Sequence, residues 1–274
     1  MRPAPFSFAR PRRLDDALVA LAEGAVPLAG GQSLLQAMRL RQDEPAAVVD
    51  ITRIAELDRN VTVGRDSIRI GALVTHRDVA EHREVRERAP WLSEAAETLG
   101  DVQVRNRGTT LGNLCWADPR ANMAVALAAS NARVLAAHPD RGTFEIAVDD
   151  FFSGFRQNTL EGALATSIEI PVAADDRGTY IEFSRQPQDL ALVNVCAVAS
   201  SSGLRIAAGG IHAKPVRLTA IEKNPTDQTS FDRAFGAEGL TPMVDHHGSA
   251  DYKLELARTL VQRALQKIGV SNSD

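Results

Sequence analysis

Leu28-Ala29-Gly30-Gly31-Gln32-Ser33-Leu34-Leu35 places paired glycines and a serine between an apolar, strand-like run and the start of an amphipathic pattern. Glycine has no Cβ, so it tolerates positive φ and lets another group approach the backbone closely. Successive main-chain N–H groups at a helix start form an anion-binding concavity. The chemistry on offer is therefore phosphate binding, above all of a nucleotide pyrophosphate. Taken alone, the same residues also fit a plain β-turn followed by a helix with Ser33 as its N-cap. A second segment has the same character: Arg105-Asn106-Arg107-Gly108-Thr109-Thr110-Leu111-Gly112-Asn113 is polar and glycine-punctuated, and Ala117-Asp118-Pro119 follows it. No acid, base and nucleophile constellation stands out elsewhere.

The elements around these segments follow from apolar spacing. Leu14, Ala17, Leu18 and Leu21 share one helical face, with Gly24 as a stop. Val26 to Ala29 reads as a short buried strand, Leu34 to Leu40 as a short helix closed off by Pro45, and Val48 to Ile51 as another strand. The glycine turn thus joins a strand to a helix. Val61 and Val63 alternate against Ile68 and Ile70 across a Gly64-Arg65-Asp66-Ser67 turn, which predicts a β-hairpin. Helices are expected from about Thr75, from Pro90 to Leu99, and from Arg120 to Ser130, the last entered by a polar loop over 105–113. Strands are expected at Arg133 to Ala137, Phe144 to Val148 and Ala165 to Ile170.

Beyond an Asp175-Asp176-Arg177-Gly178 connector, strand-like runs at Tyr180 to Ser184, Leu192 to Ser200, Leu204 to Ala208 and Arg217 to Glu222 predict an antiparallel meander. A short helix around Asp232 to Phe235 and a long one from Asp251 to Ile268 follow. The long helix carries Leu254, Ala257, Val261, Ala264, Leu265 and Ile268 on one face, so it is expected to pack on the meander as an α+β unit.

Composition narrows the partners. The 274 residues are 44% hydrophobic and 24% charged with a net charge of −4, which fits a globular protein of two or three compact units and offers no general attraction to nucleic acid. No apolar run approaches the ~20 residues needed to span a bilayer, and the N-terminal segment lacks an apolar targeting core, so a cytoplasmic location is expected. Two cysteines, Cys115 and Cys196, cannot by themselves build a zinc site or an iron–sulfur cluster. Cys196 reads as a small buried hydrophobe. The adjacent His246 and His247 read as a solvated loop rather than a metal site.

The two glycine segments together, with Ala117-Asp118-Pro119, resemble the flavin-binding loops of the FAD-binding medium subunits of molybdenum hydroxylases, a family with carbon monoxide dehydrogenase, 4-hydroxybenzoyl-CoA reductase and the xanthine dehydrogenase flavin domain. Phe8-x-Arg10-Pro11, Val49-Asp50-Ile51, Asp189-x-Ala191-Leu192-Val193, Pro215-Val216-Arg217 and Ser249-Ala250-Asp251-Tyr252 extend the resemblance over nearly the whole chain. It implies an α+β protein: two α/β subdomains clasping FAD, as in the vanillyl-alcohol oxidase and p-cresol methylhydroxylase fold, over residues 1–174 and divided near 55, then a C-terminal antiparallel sheet with helices over 175–274. The ordinary G-x-G-x-x-G dinucleotide fingerprint is absent.

Carried over by position, Leu28, Ala29, Gly30, Gly31, Gln32, Ser33 and Leu34 would hold the pyrophosphate, and Thr109, Thr110, Leu111, Gly112 and Asn113 would meet it from the other side. Three positions depart from the family pattern. Leu111 replaces the first glycine of the usual Thr-Ile-Gly-Gly-Asn, Asn122 replaces the last Asp of Asp-Pro-x-x-Asp, and Leu190 replaces the aromatic residue beside the isoalloxazine. The resemblance further implies electron transfer from [2Fe–2S] clusters on a small partner subunit, reduced by a large molybdopterin subunit, to an external acceptor. The assembly expected is a dimer of heterotrimers, a heterohexamer. Two other readings remain: a structural subunit of the same fold with weakened FAD binding, and a self-contained FAD oxidase.

Overall fold

A computed structural model describes residues 2–236, 240–242 and 248–270 of the chain. The N-terminal strands β1 (Ser7–Ala9), β2 (Val26–Leu28) and β3 (Ala47–Asp50) form a parallel sheet in the order β1-β3-β2. Parallel neighbours need crossovers, and here the helices Leu14–Ala22 and Leu34–Arg39 supply them. The first helix buries Ala17, Leu18 and Leu21, as their spacing predicts, and the chain leaves it through Gly24 at φ 91°. Ile51 starts a single 3₁₀ turn instead of prolonging the strand, because Asp50 Oδ1 accepts from the Thr52 amide at 2.8 Å and turns the backbone.

A five-stranded antiparallel sheet comes next. β4 (Val61–Val63) and β5 (Ser67–Gly71) form the expected hairpin, with Val61 opposite Ile70 and Val63 opposite Ile68. β6 (Arg133–His138) and β7 (Gly142–Ala147) form a second hairpin, and a small one, β8 (Phe152–Gly154) with β9 (Gln157–Asn158), precedes β10 (Leu164–Pro171). β10 sits centrally in the order β4-β5-β10-β6-β7. The helices Pro90–Glu97 and Asn122–Ala129 pack beside this sheet, and every residue of Asn122–Ala129 is buried.

The C-terminal strands β11 (Arg177–Phe183), β12 (Val193–Ser200), β13 (Gly203–Gly209) and β14 (Val216–Arg217) form the expected antiparallel meander. The apolar run on β12 has a simple cause: both faces of the sheet are covered. Val193, Val195, Ala197 and Ala199 face the core under the helix Ala250–Lys267, while Cys196 and Val198 join the core shared with the helices of the preceding unit. Cys196 is fully buried there.

Two expected elements differ. The polar stretch over 105–113 is mostly helical: one helix spans Val102–Arg107 and another Thr110–Trp116, with only Gly108 and Thr109 between them. Asp101 and Thr109 cap these helices through their side chains, accepting from Val104 N and Gly112 N, which is why so polar a sequence can be helical. The expected strand over 217–222 stops at Arg217, and Thr219–Lys223 is helical. Glu222 turns back to accept from Ile206 N and from Arg217 Nε and Nη2, each at 2.7 Å, and this folds the segment over the sheet edge. His246 and His247 lie outside the described residues.

Candidate functional site

Val74, Thr75 and His76 run beside Gly108, Thr109 and Thr110 in a short antiparallel pairing: His76 N donates to Gly108 O at 3.0 Å and Thr110 N to Val74 O at 3.1 Å. This fixes the start of the helix Thr110–Trp116 next to the loop that follows β2. At Gly30 the two segments meet. A Cβ there would overlap the Arg107 carbonyl oxygen and lie 2.8 Å from Gly108 Cα, so only glycine permits the approach. Gly31 sits at φ 75°, the second position where the turn requires glycine.

Among the described residues, the backbone amides of Gly30, Gly31, Gln32 and Ser33 donate no hydrogen bond to the protein. Four neighbouring donors are thus left for a ligand or solvent. Ser33 directly precedes the helix Leu34–Arg39, yet its backbone is helical (φ −105°, ψ −58°) and its hydroxyl makes no capping bond. The plain N-cap reading of this serine is not what the geometry displays.

Both segments border one cavity of about 860 Å³, within the range of about 300–1,000 Å³ usual for cofactor sites. Every residue from Leu28 to Leu34 lines it, as do Thr109, Leu111, Gly112, Asn113, Asn122 and Leu190. Thr110 does not; it is fully buried and its amide is taken by Val74. The Thr109 hydroxyl oxygen accepts from Gly112 N at 3.1 Å, which leaves its O–H to donate. On the second segment the buried side-chain polar atoms without a partner are Thr110 Oγ1 and Asn113 Oδ1, and of these two residues Asn113 lines the cavity.

The three departures from the family pattern resolve differently. Leu111 is 3% exposed and belongs to the main hydrophobic core, although it also borders the cavity. Asn122 turns its Nδ2 towards Glu182 Oε2 (2.8 Å), Thr98 Oγ1 (3.1 Å) and the Ala95 carbonyl (3.2 Å), leaving Oδ1 as its atom for a ligand. Glu182 also accepts from the Tyr180 hydroxyl at 2.9 Å and from Thr98 Oγ1 at 3.2 Å. Burial pushes its carboxyl above the usual carboxylate range, against these hydrogen bonds, which lower it. Leu190 is 55% exposed and reaches the cavity from the loop between β11 and β12, together with Gln188 and Asp189.

Several wall residues carried no signal in the sequence. His76 lines the cavity and packs on Gly108; burial, aided by the Arg105 charge, holds its imidazole down at about 4, so it is neutral at pH 7. Its Nδ1 has no partner. Trp116 and Asn158 also face the cavity, brought there by the end of the Thr110–Trp116 helix and by the β8–β9 hairpin. The position of Trp116 beside Ala117-Asp118-Pro119 is the one hint the sequence held. Cys115 is a wall residue whose thiol burial pushes up to about 12, so it is an inert thiol. No cluster of three or more metal-ligating side chains occurs among the described residues, and among them no helix is long and apolar enough to cross a membrane.

The cavity offers unpaired amides, an unpaired amide oxygen, a turn whose two glycines no larger residue could replace without a clash, and long apolar walls. That set fits an extended dinucleotide with neutral donors for its phosphates. Comparisons with known proteins agree. Residues 4–173 match the family described as the FAD binding domain in molybdopterin dehydrogenase, and residues 178–268 match the CO dehydrogenase flavoprotein C-terminal domain. The glyceraldehyde dehydrogenase medium chain of Sulfolobus acidocaldarius is 34% identical over 98% of this chain and all of its own length. The nicotine 6-hydroxylase medium subunit of Paenarthrobacter nicotinovorans is 33% identical, covering 96% of each chain. Carbon monoxide dehydrogenase from Hydrogenophaga pseudoflava superposes with a TM-score of 0.91 at 31% identity, over 98% of this chain and 99% of the other. With both of its halves and its fold accounted for in this way, the chain belongs to the FAD-binding medium subunits of the molybdenum-containing dehydrogenases and hydroxylases.

Proposed function

We propose that this chain binds FAD in the 860 Å³ cavity and relays electrons from the [2Fe–2S] clusters of a small partner subunit to an external acceptor, while a large molybdopterin subunit oxidises an aromatic, N-heterocyclic or aldehyde compound. The observation that carries the reading is the run of undonated amides from Gly30 to Ser33 facing the Thr109–Asn113 segment across one cavity. Bound FAD supplies the redox chemistry, since it can exchange electrons with one-electron and two-electron partners.

The chain's own residues position and insulate. The amides of Gly30, Gly31, Gln32 and Ser33 bind the pyrophosphate, and the Ser33 hydroxyl adds a donor. From the opposite side, the Leu111 backbone amide and the Asn113 side-chain amide complete the clasp, and Gly112, whose own N–H is given to Thr109, adds no side chain in the way. Asn122 Oδ1 accepts from a sugar hydroxyl, while Leu190 covers the isoalloxazine edge without stacking on it. Leu28, Ala29 and Leu34 exclude water along the wall, and Thr110 anchors its helix through Val74. The division of the chain near residues 55 and 174, the cytoplasmic location and the dimer of heterotrimers belong to the same proposal.

Relatives named for glyceraldehyde and nicotine fit the substrate classes given; the substrate pocket itself belongs to a partner. Purification of the complex with its natural partners, followed by flavin extraction and mass spectrometry, tests the reading. One FAD per chain, reduced when substrate is added, is expected. A complex that forms but contains no flavin overturns it and favours the structural-subunit reading, which the commitment of the Asn122 amide to Glu182 and the exposed Leu190 motivate.

A further inference from the structure

Trp116 closes the helix Thr110–Trp116 and borders the cavity. At 1.5 Å per residue it lies ~9 Å along the axis from Thr110, two residues after Gly108, where the two glycine segments meet, a span suited to the distance between a pyrophosphate and its purine. It packs against the cluster of Leu34, Met38 and Val48 in the first unit, whereas the opposite arm of the cavity ends at Gln188, Asp189 and Leu190 of the C-terminal unit. Apart from His76, Trp116 is the only aromatic ring on the cavity wall among the described residues.

The ring is also held. The Arg156 guanidinium carbon lies 3.8 Å from the indole centroid, and Arg156 Nη2 pairs with Asp43 Oδ2 at 2.6 Å, joining the β8–β9 hairpin to the loop after the helix Leu34–Arg39. Two further bonds seat that hairpin on either side of the tryptophan: Arg156 N donates to Ala117 O at 3.0 Å and Asn158 Nδ2 to Cys115 O at 2.8 Å. Arg156 and Ala117 both adopt φ 54°, where residues other than glycine seldom sit, so the seat is maintained against a local backbone cost. A guanidinium stacked on one face fixes the plane of the indole.

We infer that Trp116 is the stacking platform for the adenine half of the dinucleotide and that Arg156 and Asp43 lock its ring in place, which makes this pair a determinant of selectivity for FAD over FMN. The inference rests on the flavin reading above. Its test uses the full chain stripped of flavin, titrated with FAD, ADP and FMN. Trp116→Ala weakens FAD and ADP roughly tenfold, the scale of base–aromatic stacking, while FMN affinity, which also reports an intact fold, stays unchanged. Trp116→Phe retains FAD and ADP affinity within about threefold. ADP also quenches the fluorescence of Trp116, and Trp116→Phe abolishes that signal, since Trp91 is fully buried and bonded to Ser130. A Trp116→Ala chain that binds FAD and ADP like the wild type overturns this inference alone. A wild-type chain that binds neither overturns it together with the flavin reading.

Discussion

Asn122 Nδ2 donates to Glu182 Oε2 across 2.8 Å, tying the first residue of the central helix to the first strand of the C-terminal sheet. The cavity wall and the junction between the two units therefore share one side chain. Asn194 extends the junction, donating through Nδ2 to the Tyr180 hydroxyl and the Arg120 carbonyl, both at 2.9 Å. Burial raises Tyr180 well above its ordinary range, so its phenol is neutral and donates to Glu182.

The junction gives a pH dependence of definite sign. Glu182 has a raised pKa in the fold, so the folded state holds its proton more tightly than the unfolded chain. Its contribution to stability is complete below the ordinary carboxylate value and is lost as pH rises through the raised one. Glu182→Gln removes this slope, while Asn122→Asp steepens it by setting a second carboxylate beside the first. Urea unfolding across pH 4 to 8 checks both; equal slopes in wild type and Glu182→Gln would refute the assignment.

His76 gives the opposite slope. Its pKa falls from 6.5 to about 4 on folding, so stability is complete above the unfolded value and is lost as pH falls through the folded one. The loss amounts to up to about 3 kcal/mol at 1.36 kcal/mol per unit. His76→Gln shows a shallower decline between pH 6.5 and 4, measured by thermal or urea unfolding.

Gly30→Ala sets a methyl group into the Arg107 carbonyl, and neither backbone can yield without separating the two segments. FAD affinity drops by more than about tenfold and stability by about 2 kcal/mol, the scale of overpacking. Gly64→Ala, whose Cβ would lie 3.4 Å from Ser67 O at ordinary van der Waals contact, changes stability by less than about 1 kcal/mol and leaves FAD affinity alone. Calorimetric titration and denaturation of the two variants separate these outcomes.

Leu111→Gly restores the family's glycine pair, yet it does not strengthen flavin binding. It removes a core side chain and places glycine in a helix, which costs about 3–5 kcal/mol. A stable Leu111→Gly chain with raised FAD affinity would show instead that the leucine obstructs the phosphates.

Much of the fold was legible because its signals are local. The period of Leu14, Ala17, Leu18 and Leu21, the Val61–Ile70 hairpin, the first three strands of the meander and the last helix rest on apolar spacing and turn residues, and each takes the expected form. The stretch over 105–113 reads as a loop because Asn, Gly and Thr are weak helix formers, whereas side-chain caps and pairing with Val74 to His76 make helices of it. The β8–β9 hairpin was missed because two- and three-residue strands carry no periodicity.

Sequence alone determined which residues can offer bare amides to a phosphate, since Gly30 and Gly31 are the residue type that such a turn requires, and it determined the family those segments resemble. Tertiary structure alone decided which atoms of them are free. The Thr110 amide was taken by Val74, the Thr109 hydroxyl oxygen accepted from Gly112 and kept only its O–H to offer, Leu111 was drawn into the core, and Asn122 was claimed by a glutamate 60 residues away. Hydrogen-bond donors and acceptors are finite and find partners across long separations in the chain, so the availability of each to a ligand is set only when the chain has folded.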